Sequence, residues 1–305
     1  MKRVLLVMTV VEILVSCGKG NGEGESAGLV ALRLSGGIEV AGRATGEVWE
    51  LGDAIGVYMV EAGGASVVDG ASNREYVTVA GDGSFATTEE NTVYFPSDGR
   101  AVDVVAYYPR QVSLADGMLE LDMQNQSSVL APDLMTARAS SATGKLQDKD
   151  HPVVALEFAH RLTRLELTIE VGTGMDATAL EGIAVELTRQ RVSGSYDPLF
   201  EVLGVDEEPV EAVKLCVTAN GTRAVAILLP TTSVDGINPV IAGRELLFML
   251  ATGEVLHWAV PDEKSFNCGE RNLYTIRVNR ASIEVTSKII PWTPGNGEGK
   301  SGEAE

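Results

Sequence analysis

Short runs of alternating apolar residues, each stopped by a turn residue, recur along this chain and leave little choice of fold. Leu165-Glu-Leu-Thr-Ile-Glu-Val171 sets Leu165, Leu167, Ile169 and Val171 on one face and Glu166, Thr168 and Glu170 on the other. That period of two is the mark of a strand with one buried face. Ser282-Ile-Glu-Val-Thr-Ser-Lys-Ile-Ile290 alternates in the same way. Further strands are predicted at residues 29–34, 48–59, 76–79, 85–87, 92–95, 102–108, 119–123 and 153–158, then at 182–187, 213–217, 223–229, 245–250, 254–260 and 272–278. Gly81-Asp-Gly83 and Thr252-Gly253 supply hairpin turns, and Pro96, Pro109, Pro230, Pro261 and Pro291 stop runs. No long helix is indicated; the short helical candidates lie around Thr136 and at residues 177–180. Strands with turn signals every 8–12 residues or so predict an all-β fold of β-sandwiches. With 305 residues, 45% of them hydrophobic, two ordinary domains can each bury a core. The polar stretch at Gly172-Thr-Gly174 is the expected joint, giving an N-terminal sandwich over 29–173 and a C-terminal one over 174–294.

The N-terminus reads as a targeting segment. Met1-Lys2-Arg3 is a charged start, followed by an apolar run at 4–15 that is too short to span a bilayer. Glu12 is a carboxylate out of keeping with such a run. The run ends in Leu14-Val15-Ser16-Cys17, small residues before a cysteine. A lipoprotein signal peptidase needs that slim approach, and the Cys17 thiol would carry the lipid. An ordinary secretory signal with a chance cysteine is the plainer reading. Residues 1–17 are thus a signal peptide with a lipobox, 18–28 a Gly/Glu/Ser tether and 295–305 a Gly/Glu-rich tail expected to be disordered. With Cys17 consumed, Cys216 and Cys268 remain; they could pair in an exported protein, or stand as two separate, partly buried thiols.

Net charge of −19 and the absence of a basic run argue against nucleic acid and against electrostatic binding to anionic lipid. Little points to chemistry. The three histidines, His151, His160 and His257, sit in no metal-ligand spacing. His160 reads as a hydrogen-bonded core residue, and Asp148-Lys-Asp150-His151 as a polar loop. Gly81-Asp-Gly83-Ser-Phe-Ala86 fits a dinucleotide-binding string, yet a strand and not a helix follows it. The 43 acidic residues read as solvated faces with no acid–base pair singled out. Trp49, Trp258 and Trp292 could line a sugar site but are better read as packing residues. No cofactor, metal or catalytic residue is expected, and the chain is read as no enzyme.

The first strand is set apart. Leu29-Val-Ala-Leu-Arg-Leu34 places Val30, Leu32 and Leu34 on one face. A loop from Ser35-Gly-Gly37 to Gly46 then carries a single basic residue, Arg43, before the strand containing Trp49-Glu-Leu-Gly-Asp53. A strand followed by a flexible, cleavable loop can be detached. Arg33 is the rival cleavage site, but it lies inside the strand. The segment resembles the fimbrillin family, subunits of type V pili, in Arg43, Ala44, Thr45 and Gly46, then Trp49, Gly52, Asp53, Ile55, Gly56, Val57, Tyr58 and Met59. Phe158-Ala-His160-Arg-Leu162-Thr-Arg-Leu165 and Leu273-Tyr-Thr-Ile-Arg-Val278, followed by Ile283, Val285 and Ile290-Pro-Trp292, extend the likeness to the C-terminus.

That resemblance implies two tandem transthyretin-like β-sandwich domains. It also implies export as an outer-membrane lipoprotein at the cell surface, cut by an Arg-specific protease between Arg43 and Ala44 so that the first strand, 29–43, is removed. Other fimbrial subunits would be its partners, and a strand from one of them must refill the vacated groove. Such a donor must be long, alternating and near a free end, which singles out residues 282–290, with Ile283, Val285 and Ile289 on one face. Completing its own sandwich is the competing role for that strand. Two other readings stand beside this one: a monomeric surface lipoprotein that binds a glycan or host protein, and a secreted β-sandwich hydrolase.

Overall fold

The structure, a computed structural model, describes residues 28–38, 48–128, 131, 133–231, 239–279 and 282–291. Alternation becomes strand throughout, and the molecule is all-β. In the N-terminal part, β1 (Arg33–Ile38), β2 (Ala54–Glu61), β3 (Arg74–Thr78), β4 (Ser84–Ala86), β5 (Val102–Tyr108), β7 (Met135–Ala139) and β8 (Val153–His160) close into a barrel. Their order is β1-β4-β3-β2-β5-β7-β8. The ring closes because β1 pairs antiparallel with β4 on one side and parallel with β8 on the other. Inside lie Leu32, Leu34, Ile55, Val57, Met59, Val104 and Phe158.

Between β5 and β7, β6 (Leu119–Asp122) leaves the barrel to pair with β11 (Ser193–Asp197), which also pairs with β12 (Val202–Val205). This sheet covers the outer face of β2. Tyr58, Val60, Val105 and Tyr107 of the barrel there meet Leu119, Leu121 and Tyr196 in a separate apolar cluster. Hence the unbroken apolar run of β2 is buried on both sides, as a continuous rather than alternating pattern requires.

The remaining strands build two sheets around a further core of Leu165, Leu167, Ile169, Val185, Phe248 and Ile276, among others. One holds β13 (Val210–Lys214), β10 (Ala184–Arg191), β16 (Glu245–Met249) and β17 (Val255–Ala259) in that order. The other runs β14 (Cys216–Val217), β15 (Arg223–Leu228), β9 (Thr163–Val171), β18 (Glu270–Asn279) and β19 (Ser282–Pro291).

Several expectations need correction. The first strand begins at Arg33, not Leu29, and takes in Ser35, Gly36 and Gly37, which read as loop. Residues 92–95 form only a bridge, Tyr94 to Ala31. Thr136 is a strand residue, paired with Tyr107 and Ala159; residues 177–180 do form one short 3-10 turn, Ala177–Leu180. Strand β9 ends at Val171, just before the joint expected at 173/174, and pairs with β15 and β18, which follow it. Glu166 is buried rather than solvated, because three arginines surround it. Cys216 and Cys268 are free thiols, each partly buried, and Cys268 Sγ donates to the Arg161 carbonyl at 3.2 Å.

Candidate functional site

The seat of β1 is the most specialised part of the barrel. Leu32 and Leu34 point inward and are buried, and Ile38 packs on the same core from a partly buried position. Between them falls Gly36, also inward-facing. A Cβ on Gly36 would lie 2.8 Å from the Phe85 ring and 3.0 Å from the Phe158 ring. The aromatic floor therefore fills the space a side chain would take, and only glycine fits there in a strand. The Trp49 indole stands edge-on to Phe85 (5.1 Å), Phe158 (5.1 Å) and Tyr108 (5.4 Å). Its Nε1 donates to the Gly36 carbonyl at 2.7 Å.

Local chemistry holds Trp49 there. Gly52 has φ of +93°, a turn conformation that suits glycine, and its N–H donates to the Thr78 carbonyl at 3.1 Å. One oxygen of Asp53 accepts from the Glu50 N–H at 2.7 Å and the other from the Tyr108 hydroxyl at 3.0 Å. Burial and the neighbouring Asp53 carboxylate push the Tyr108 phenol well above its usual range, so it stays a donor. The expected Trp-x-x-Gly-Asp pattern thus serves as a plug and a latch. On the β4 side of the same residue, the Gly36 N–H donates to the Gly83 carbonyl at 2.7 Å, and Gly83 takes φ of +81° in the β3–β4 turn.

The parallel ladder to β8 runs from Arg33↔Val153 to Ile38↔Phe158. The Arg33 N–H donates to the Pro152 carbonyl at 2.9 Å, so the backbone at Arg33 is paired, as expected of the rival cleavage site. Cys17, Arg43, Ala44 and Trp292 lie outside the described residues.

Strand β19 is the edge of its sheet, pairing with β18 alone over its whole length. Ile283, Val285, Ser287 and Ile289 are half-buried and alternate with exposed residues. Ile283 and Val285 pack on the second core. The structure does not bring this strand to the β1 seat: β1 pairs with β4 and β8, and β19 with β18.

Other residues singled out from sequence are structural. His160 is buried with Nδ1 2.6 Å from Asp133, and the Asp148 carboxylate receives the ring and backbone N–H of His151. Trp258 packs edge-on to Tyr274. Among the described residues, no three or more His, Cys, Asp or Glu side chains gather as a metal site would require, and no helix is long and apolar enough to cross a membrane. The seat's floor, Gly36 with Phe85 and Phe158, was missed from sequence; a glycine at an inward position of an alternating run was its one signal.

Comparison with known proteins gives consistent matches. A model of the family described as Fimbrillin-like matches residues 42–292. A candidate fimbrium subunit, Fim1C of Bacteroides uniformis, is 37% identical over 289 residues, covering 91% of this chain and 90% of its own. The crystal structure of a candidate cell adhesion protein from the same organism is similar with a TM-score of 0.73 and 35% identity, over 87% of this chain and all of that one. Another from Bacteroides ovatus, 20% identical, shares the fold with a TM-score of 0.67 over 88% of this chain and 99% of its own.

Proposed function

Because the chain belongs to the fimbrillin-like family, whose members are fimbrial subunits at the cell surface rather than enzymes, we propose that it polymerises by strand exchange. In this reading it is exported as a lipoprotein through Cys17 and folds with β1 in place as two tandem transthyretin-like units. An Arg-specific protease then cuts between Arg43 and Ala44 and releases β1. Residues 282–290 of another subunit, with Ile283, Val285 and Ile289 inward, refill the groove and support a fimbrium that serves adhesion.

The observation that carries the reading is the position of β1. It is the first described strand of the chain and closes the ring between β4 and β8. Its departure would open the barrel, expose the ring faces of Phe85 and Phe158, and leave backbone groups on β4 and β8 unpaired. An open groove of that kind attracts another strand. Each fully buried leucine lost contributes roughly 1.5–3 kcal/mol, so refilling is strongly favourable. The whole of β1 lies upstream of Arg43.

The test is to treat the purified, uncleaved protein with an Arg-specific protease and look for SDS-resistant ladders. Assembled material should begin at Ala44, and Arg43→Ala should form no ladders. A start at Leu34, or ladders undiminished in Arg43→Ala, would overturn the site.

A further inference from the structure

The outer face of the five-stranded sheet carries a charge arrangement that the fold alone does not call for. Arg164 of β9 and Arg271 of β18 stand directly opposite each other in the parallel register. Like charges so placed repel. Two residues along β9, in the next outward row, Glu166 is buried and accepts from Arg271 Nε and Nη2 at 3.0 and 2.7 Å. Arg164 lies 2.9 Å from the same carboxylate, and Arg223 of β15 reaches it only at 3.5 Å. Lys288 of β19 faces the same depression, which has a volume of about 450 Å³. Three arginines thus converge on one carboxylate, with a lysine beside them, in a protein whose net charge is −19.

Glu166 holds the Arg271 guanidinium by two contacts and touches Arg223 by one. The Arg223 side chain remains 60% exposed, with most of its donors free for a ligand. Fixed forks of this kind suit carboxylate and sulfate groups. One row along the sheet sets Thr168, Thr275 and Thr286 side by side in register, with Arg223 of β15 at its end, opposite Thr168. Their hydroxyls donate and accept. Beyond them, Glu170 and Glu284 flank Arg277, so the positive region ends there. A cationic corner beside a row of hydroxyls matches a ring that carries both an acid group and several hydroxyls.

We infer that this face binds an acidic saccharide, with Arg223, Arg271 and Lys288 receiving its carboxylate or sulfate and the threonine row its hydroxyls. The assignment deepens the adhesive part of the function proposed above but does not depend on strand exchange. Arg223 and Arg271 lie on β15 and β18 and stay with the subunit, whereas Thr286 and Lys288 lie on β19, the proposed donor, so the site is complete in the uncleaved chain and would lose those two side chains on exchange.

The test titrates the intact, uncleaved chain at low salt with N-acetylneuraminic acid and glucuronic acid. Glucose, sodium sulfate and a hexaglutamate peptide serve as comparison ligands. Saturable binding to an acid sugar is expected, with none to glucose. Arg223→Ala should weaken it by roughly tenfold or more, the loss of one charge-assisted contact. Because Arg223 is largely exposed, its thermal unfolding should match that of the parent; Arg271→Lys, which keeps the charge but loses the fork, should also weaken binding. The inference falls if neither acid sugar binds saturably, or if Arg223→Ala and Arg271→Lys both bind as the parent does. It also falls if sulfate or hexaglutamate binds as tightly as the sugars, which would make this an adventitious ion site only or a site for acidic peptides. Ladder formation is read separately, so either result can fail without the other.

Discussion

At the scale of single residues, the barrel depends on what is missing from Gly36. Its backbone carbonyl receives the Trp49 indole, and two phenyl rings occupy the place of its side chain. Gly36→Val would add strand propensity, but it would drive a branched side chain into Phe85 and Phe158. Overpacking of this kind costs about 1–3 kcal/mol, well above the propensity gain. Urea unfolding should show a lower midpoint; an unchanged or raised midpoint would mean the floor yields. Glu166 makes the opposite point. Alternation places it outward correctly, yet its neighbours across β15 and β18 decide that it is buried.

At the scale of elements, β1 and β19 are the two strands on which the proposed assembly turns. Replacing Ile283 and Val285 together with Asp separates the roles of β19. Both side chains are half-buried and pack on the second core. If the strand is a donor, the double variant folds with near-parent thermal unfolding, yet gives no ladders after cleavage. If it serves chiefly its own sheet, the monomer loses several kcal/mol, the cost of carboxylates in an apolar setting. A variant that folds and polymerises normally excludes both roles.

Most strands were legible, β19 and β9 almost residue for residue, because each has one wet face and so a clean period of two. Strands β7, β11 and β12 were not. Thr136 and Arg138 make β7 look polar, and Ser193-Gly-Ser195 looks like a turn; these residues are held by neighbours distant in sequence rather than by their own pattern. The extent of β1 was missed for the same reason: Ser35-Gly-Gly37 is loop chemistry unless aromatic rings lie beneath it. The parallel pairing of β1 with β8 joins residues more than a hundred apart, and no local signal marks it.

At the scale of the whole molecule, the two large cores are tied by the third cluster and by one buried amide. Gln126 Nε2 donates to the carbonyls of Met123 and Ile227 at 2.9 and 2.7 Å, and its Oε1 accepts from the N–H groups of Ile227 and Ala131 at 2.9 and 3.2 Å. Calorimetry of the uncleaved chain should therefore show a single transition with matching calorimetric and van't Hoff enthalpies. Gln126→Ala should lower that whole transition, since stranded backbone groups cost roughly 1–3 kcal/mol each; two separable transitions in the parent would contradict the coupling.

The separation of β1 and β19 onto different sheets has a further consequence. A joint between one subunit's groove and another's last strand uses two unlike surfaces, so no twofold axis relates the subunits it joins. Such contacts cannot cancel in a dimer and instead repeat along a line. Every filament would then have direction, with a vacant groove at one end and an unused strand at the other. Growth, arrest and attachment would belong to different ends.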